Sequence, residues 1–349
     1  MIINIKKLFS VLFLCVTAII FTVSCDQKKD QVADCGSVHI GDFDWDSANI
    51  HTAIGAYILE VGYGCDVQVT KGSTNPILAA LIDNQIDIIF EHWTDNNVQL
   101  IDPELDSGNL VFLGVNTPAS EQAFFVDRAT SEKHNITSVE DLAKPEIAML
   151  FKDPENPAKG RLTSCISGWT CYTINLVKLK EYGLDELYTN FDPGSGGALD
   201  AAIMAASTKN QPIVTYYWTP TSLMGKSEVD LVRLTEPAYD EKCWGDMMTV
   251  VEDIKANGPE VYEPSCACEY KDMALTKLAT GKFAEANPDI IDFAKAYTIP
   301  TAVVNNMLAY YVDESDGDMR ATAMHYLETD SSWESWVPAN VADNVKKSL

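Results

Sequence analysis

Residues 37–90 read SVHIGDFDWDSANIHTAIGAYILEVGYGCDVQVTKGSTNPILAALIDNQIDIIF, and their patterning sets the fold class. Ser37-Val38-His39-Ile40-Gly41 alternates apolar and polar residues as a first strand does. From Ser47 to Val61 the apolar residues Ile50, Ala53, Ile54, Tyr57 and Ile58 recur at helical spacing and stop at Gly62 and Gly64. Cys65 to Val69 alternates again, 75–84 reads as a short helix, and Ile86-Asp87-Ile88-Ile89-Phe90 reads as a buried strand. Strand, helix, strand, helix, strand at this spacing predicts a parallel α/β sheet.

Outward from that segment the same grammar continues. A strand is expected at 123–126 and a helix near 139–142. Another helix starts near Trp169 and runs to Tyr182, with Gly183 placed to cap it. Gly194 to Gly197 is a flexible turn before a helix at 198–207, and 212–218 is a β-rich strand. After Asn287-Pro288 the pattern is mainly helical as far as Val337, and no internal repeat is visible.

The N-terminus reads as an export address. Lys6 and Lys7 precede an apolar run from Leu8 to Val23, too short to span a bilayer comfortably but suited to the core of a signal peptide. Thr22-Val23-Ser24-Cys25 resembles a bacterial lipoprotein signal, with Thr22 departing from the usual Leu and Cys25 as the lipidated residue. Asp26 resembles the signal that keeps such proteins at the inner membrane. A plain secretory signal or an uncleaved anchor stays open, and each version exports the mature chain. Loss of residues 1–24 leaves 325 of the 349, above the roughly 250–300 residues at which chains divide into lobes. The formal charge is −26, and −28 once Lys6 and Lys7 leave. Such a charge argues against nucleic acid or an anionic membrane surface as partner.

Nine cysteines suit an oxidising compartment. Cys15 leaves with the signal and Cys25 takes lipid, so the remaining seven leave at least one thiol free or paired outside the chain. Cys35 is expected to pair with Cys65, each beside a predicted strand, and Cys165 with Cys171. Cys243 then takes Cys266 or Cys268. Cys266-Ala267-Cys268 carries a rival reading, an extracytoplasmic thiol-redox protein or enzyme. The five histidines show no paired metal-ligand spacing, 313–318 lacks the bidentate Glu of a calcium loop, and neither a nucleophile elbow nor a P-loop occurs. No cofactor or metal is expected.

Trp45, Trp93 and Trp218 lie at or just beyond the C-terminal ends of predicted strands, and Trp169 opens a helix. Ligands of open α/β sheets bind outside those strand ends. Indole faces suit a cation that cannot donate hydrogen bonds, each contact contributing roughly 0.5–2 kcal/mol. A primary ammonium calls instead for carboxylates and carbonyls.

Residues 133–137, 145–148 and 162–171, together with Phe43-Asp44-Trp45-Asp46-Ser47-Ala48, 58–64, Glu91-His92-Trp93 and Tyr216-Tyr217-Trp218-Thr219-Pro220, resemble the glycine-betaine-binding proteins of osmoprotectant ABC importers. The resemblance covers nearly the whole mature chain. It implies a type II periplasmic-binding fold, two α/β lobes closing on a ligand between them. It implies Trp93, Trp169 and Trp218 as walls of a tryptophan cage, with Trp45 added from the related choline binders. It also implies that the backbone N–H groups of Thr170 and Cys171 hold the ligand's carboxylate, at a helix N-terminus that favours anions independently. Asn97 stands where some members place a histidine donor to that carboxylate, which leaves choline, trimethylamine N-oxide and a dimethylsulfonio acid open beside glycine betaine. Asp44, Asp46 and Glu91, close to cage residues in sequence, are expected as solvated rim or helix caps, with a ligand lacking a carboxylate as the rarer reading. The expected organisation is a signal at 1–24, a tether at 25–35, a first lobe from 36–119 and 277–349, and a second from 120–276. The expected partners are a quaternary-ammonium ligand and the permease and ATPase of an importer. The expected setting is a monomer tethered by lipid outside the inner membrane, and an osmolyte sensor of the same fold is a further rival.

Overall fold

The computed structural model describes residues 35–262 and 265–349; the expected signal, the expected lipid site Cys25 and most of the expected tether lie outside the described residues. The opening pattern folds as a parallel unit. Strand β1 (Ser37–Phe43) pairs in parallel with β2 (Asp66–Gly72) on one side and β3 (Ile88–His92) on the other. The helix Asp46–Tyr57 crosses from β1 and packs on β3, and a π-helical turn at Ile58–Tyr63 extends it to Gly64. All five residues of β3 are buried, which fits the apolar run Ile88-Ile89-Phe90 that opens it, and the burial extends to Glu91 and His92.

Two strands then tie the molecule together. The 18-residue β4 (Leu110–Asp127) pairs antiparallel along its first part with β9 (Met273–Thr280), which itself pairs antiparallel with β3. Along its second part β4 pairs with β7 (Val214–Thr219) and β8 (Leu231–Arg233). Parallel to β7 lies β5 (Gly160–Thr163), which in turn pairs with β6 (Tyr188–Phe191). The order is β2-β1-β3-β9-β4-β7-β5-β6, with β8 on β4. The β4–β9 register slips three times between Phe112 and Ser120, and Gly114 sits among these bulges at φ +85°, a conformation open to glycine at little cost. Bulges bend a strand, and this bend takes β4 from the first sheet into the second.

The C-terminal helices, from Pro288–Ala296 to Ala339–Ser348, return to cover the first sheet. Lys277 of β9 is a buried charge in this layer, donating to the carbonyls of Val115 (3.0 Å) and Tyr297. Burial lowers its pKa to about 7. In the second layer Lys178 and Glu236 form a fully buried ion pair at 2.6 Å.

The bridges join Cys35 to Cys65 across the starts of β1 and β2, Cys165 to Cys171, and Cys243 to Cys266, with Cα separations of 5.0, 5.8 and 5.7 Å. Among the described residues Cys268 is the free thiol; it is buried, and desolvation raises its pKa. Among the described residues no helix is long and apolar enough to cross a membrane.

Candidate functional site

Each tryptophan is delivered by a strand end or a helix start. Trp45 follows β1 and is the N-cap residue of the helix Asp46–Tyr57; Trp93 follows β3. Trp169 is the N-cap residue of the helix Thr170–Glu181, after the loop that leaves β5; Trp218 lies near the end of β7. Two indoles therefore come from the first sheet and two from the second. All four are buried, between 5% and 9% exposed, and all four line one cavity.

The Trp169 plane stands nearly at right angles to those of Trp45 and Trp218. The Trp45 and Trp169 rings meet edge-to-face at 5.3 Å and 75°, and Trp169 meets Trp218 at 5.2 Å and 85°. Phe43 stacks flat behind Trp45 at 4.7 Å, and Tyr216 lies nearly parallel to Trp218 at 6.2 Å. The pleat explains Tyr216: residues two apart in β7 share a face. Edge-to-face packing presents a ring face to its neighbour, and a corner of such faces accepts a methylated cation.

The polar wall is built from amides and hydroxyls. Thr170 Oγ1 donates to Asn97 Oδ1 at 2.7 Å, and Asn97 Nδ2 donates to Trp93 O at 3.1 Å. Asn97 lines the cavity, yet this amide is spent on holding Trp93 and clasping the opposite helix. Asn96 and Gln122 bond reciprocally at 3.1 and 3.0 Å, and Tyr216 OH donates to Gln122 Oε1 at 2.9 Å. Trp169 Nε1 donates to the Asp44 carboxylate across the cleft. Thr170 and Cys171 are the first residues of their helix, where backbone N–H groups have no intrahelical acceptor. The Cys165–Cys171 bridge closes the loop that carries Trp169 between its ends.

The three acids near the cage part company. Asp44 is exposed and Asp46 half-buried, as a rim requires. Glu91 is 1% exposed, so the expectation of rim or cap is corrected: it sits in the buried strand β3. Its Oε1 accepts from Trp45 Nε1 at 2.6 Å, Trp93 Nε1 at 3.1 Å and Ser47 Oγ at 3.1 Å. Burial is the largest effect on the Glu91 carboxyl and pushes its pKa up to about 7 against these donors. His92 also lines the cavity, and burial alone lowers its pKa to about 3, so its ring is neutral at physiological pH. Sequence reasoning passed over Phe43, Thr74, His92, Asn96, Gln122 and Tyr216 as cavity residues. Tyr216 was within reach through the two-residue period of its strand.

Residues 36–329 match the family described as the substrate binding domain of the ABC-type glycine betaine transport system. The chain belongs to that family. A glycine betaine/proline betaine-binding periplasmic protein of Escherichia coli is 31% identical over 230 residues, 64% of this chain and 66% of the relative. A glycine betaine-binding periplasmic protein, OusX, of Dickeya dadantii is 31% identical over 107 residues, 31% of this chain and 32% of the relative. The matched part thus spans under two thirds of either relative's length. Among solved structures, the glycine betaine, L-proline-binding protein (ProX) of Borrelia burgdorferi superposes with a TM-score of 0.68 at 16% identity, covering 88% of this chain and 99% of that one. That likeness carries the fold: a type II periplasmic-binding architecture of two α/β lobes with the cavity between them.

Proposed function

We propose that this chain is the extracytoplasmic binding component of an ABC importer, capturing a quaternary-ammonium osmolyte, glycine betaine first, and handing it to a membrane permease. The observation that carries this is the single cavity walled by Trp45, Trp93, Trp169 and Trp218, two from each sheet. In this reading the trimethylammonium group lies against the indole faces. The carboxylate meets the free N–H groups at the start of the helix Thr170–Glu181, the backbone of Thr170 and Cys171. Ligand bridges the lobes 36–119 with 277–349 and 120–276, and closure assembles the cage. The leader sequence supports export and anchoring by lipid on Cys25 at the outer face of the inner membrane, and the chain acts there as a monomer. Docking of the closed form on the permease supplies the transport step; no bond of the ligand is made or broken.

A choline reading has one observation in its favour: the acids Glu91 and Asp44 lie against the cage indoles. The thiol-redox rival loses its dithiol, because Cys266 is bridged to Cys243 and Cys268 is buried with a raised pKa. The test is a titration followed by tryptophan fluorescence with glycine betaine, choline, trimethylamine N-oxide, dimethylsulfoniopropionate and glycine. A saturable response to one or more methylated compounds with none to glycine supports the proposal. No response across the panel contradicts it.

A further inference from the structure

Three donors converge on one oxygen of Glu91, two of them cage indoles. Its other oxygen, Oε2, is buried with no hydrogen-bond partner among the described residues. An isolated buried carboxylate oxygen is costly. We propose that Glu91 is the positioning and specificity-determining residue of the cage: its Oε1 fixes the planes of Trp45 and Trp93, and its charge makes the cavity prefer a methylated cation over a neutral molecule of the same shape.

This rests on the reading of the cavity as a quaternary-ammonium site. An indole whose N–H is held by a buried acceptor cannot swing about its side-chain bonds, so both ring faces stay turned to the ligand. A negative acceptor at the N–H also polarises the ring toward a more negative face. Water cannot screen the charge, because Glu91 and both rings are buried. The surroundings leave the carboxylate without a hydrogen-bonded cation. From the helix Asp46–Tyr57, His51 Nε2 lies 3.8 Å from Oε2. Burial and the charge of Lys277 lower the His51 pKa to about 3, and its ring is engaged by Tyr297 OH and Thr117 Oγ1 at 2.7 and 3.0 Å. From β1, Asp42 adds a like charge that raises the Glu91 pKa. His92, the next residue of β3, is neutral, and Lys277 of β9 is occupied by two carbonyls. A bound cation is then the counter-charge that Glu91 lacks.

The test uses two pairs of probes that differ by one atom and one charge: choline against 3,3-dimethylbutan-1-ol, and glycine betaine against 3,3-dimethylbutanoate. Calorimetry is run on the wild type and on Glu91→Gln. The wild type should prefer the cation of its pair by at least about tenfold, and Glu91→Gln should weaken the cation more than its isostere, shrinking that preference by about threefold or more and leaving the part that the indole faces supply. Equal weakening of both members means that Glu91 is only structural, and overturns the proposal. If Glu91→Gln does not fold, the wild-type preference is measured at pH about 5.5 and about 8.5, either side of the Glu91 value of about 7. Lys277 titrates over the same range, so the comparison is repeated in Lys277→Met: a preference that shrinks in acid in both proteins supports the proposal, and one that is unchanged, or that shrinks only with Lys277 present, overturns it. If the wild type binds no probe, the quaternary-ammonium reading fails by itself. The positioning claim is then read from the indole N–H resonances of Trp45 and Trp93, which should shift together as pH crosses about 7 and stay still in Glu91→Gln. Resonances that ignore pH in the wild type overturn that claim too.

Discussion

Glu91 also has a signature in stability. Its pKa is raised from 4.5 to about 7 in the folded chain. The folded state therefore keeps a proton that the unfolded state has lost. Relative to Glu91→Gln, the unliganded wild type should lose stability as pH rises from about 4.5 to about 7, by up to roughly 3 kcal/mol, and then level off. Denaturant melts of both proteins across that range check the sign. A second buried charge makes a different prediction. Lys178 and Glu236 pair at 2.6 Å with Tyr182 OH donating to the same oxygen at 2.8 Å, and Lys178 Nζ lies 4.0 Å over the Tyr270 ring. Lys178→Met leaves Glu236 buried without its counter-charge and should cost about 3–5 kcal/mol, and the double change with Glu236→Leu should recover most of it. The tryptophans were legible because bulky aromatic residues at strand ends stand out. Glu91 was not, because its acid neighbours Asp44 and Asp46 do lie toward solvent, and sequence alone does not reveal two indole N–H groups turned onto one carboxylate.

The helix Thr170–Glu181 carries the most function for its length. It presents Trp169, the clasp from Thr170 to Asn97, and its unpaired N–H groups, and the Cys165–Cys171 bridge closes the loop before it. Replacing both cysteines by serine should cost about 2 kcal/mol of stability from the short closed loop. Ligand affinity should fall more than tenfold, since a looser loop misplaces Trp169; parallel melts and titrations compare the two losses. This helix, the parallel strands β1 to β3 and the C-terminal helices could all be read from apolar spacing and capping glycines. Strands β4 and β9 could not. Of β4 only 123–126 was expected, because three register shifts break its alternation between Phe112 and Ser120. β9 holds Lys277 among buried neighbours, which hides a strand from any apolar pattern. The short strands β5, β6 and β8 hold three or four residues each, too few to display a period.

At the scale of the molecule, one strand belongs to two sheets. β4 bonds β9 over residues 110–120 and β7 over 121–126, so a change of angle at its bulges moves one sheet relative to the other. Hydrogen bonds from Trp169 to Asp44, Thr170 to Asn97 and Trp244 to Asp95 O (2.9 Å) span the cleft; they hold the lobes closed. The parallel core implied two lobes from chain length and pattern, whereas the antiparallel link between them rests on the strands that sequence hid. Small-angle scattering should show a smaller radius of gyration with ligand than without, and Trp169→Ala should need about tenfold more ligand to reach the same change. The central claim, that a methylated cation is bound by indoles from both lobes, is tested most directly by calorimetric titration of residues 26–349 with the preferred ligand, in the wild type and in Trp169→Ala, with glycine as control. The account predicts binding of the methylated compound only, weakened by about tenfold or more in the variant. Equal affinity in the two proteins, or glycine bound as well as its trimethylated form, would contradict it.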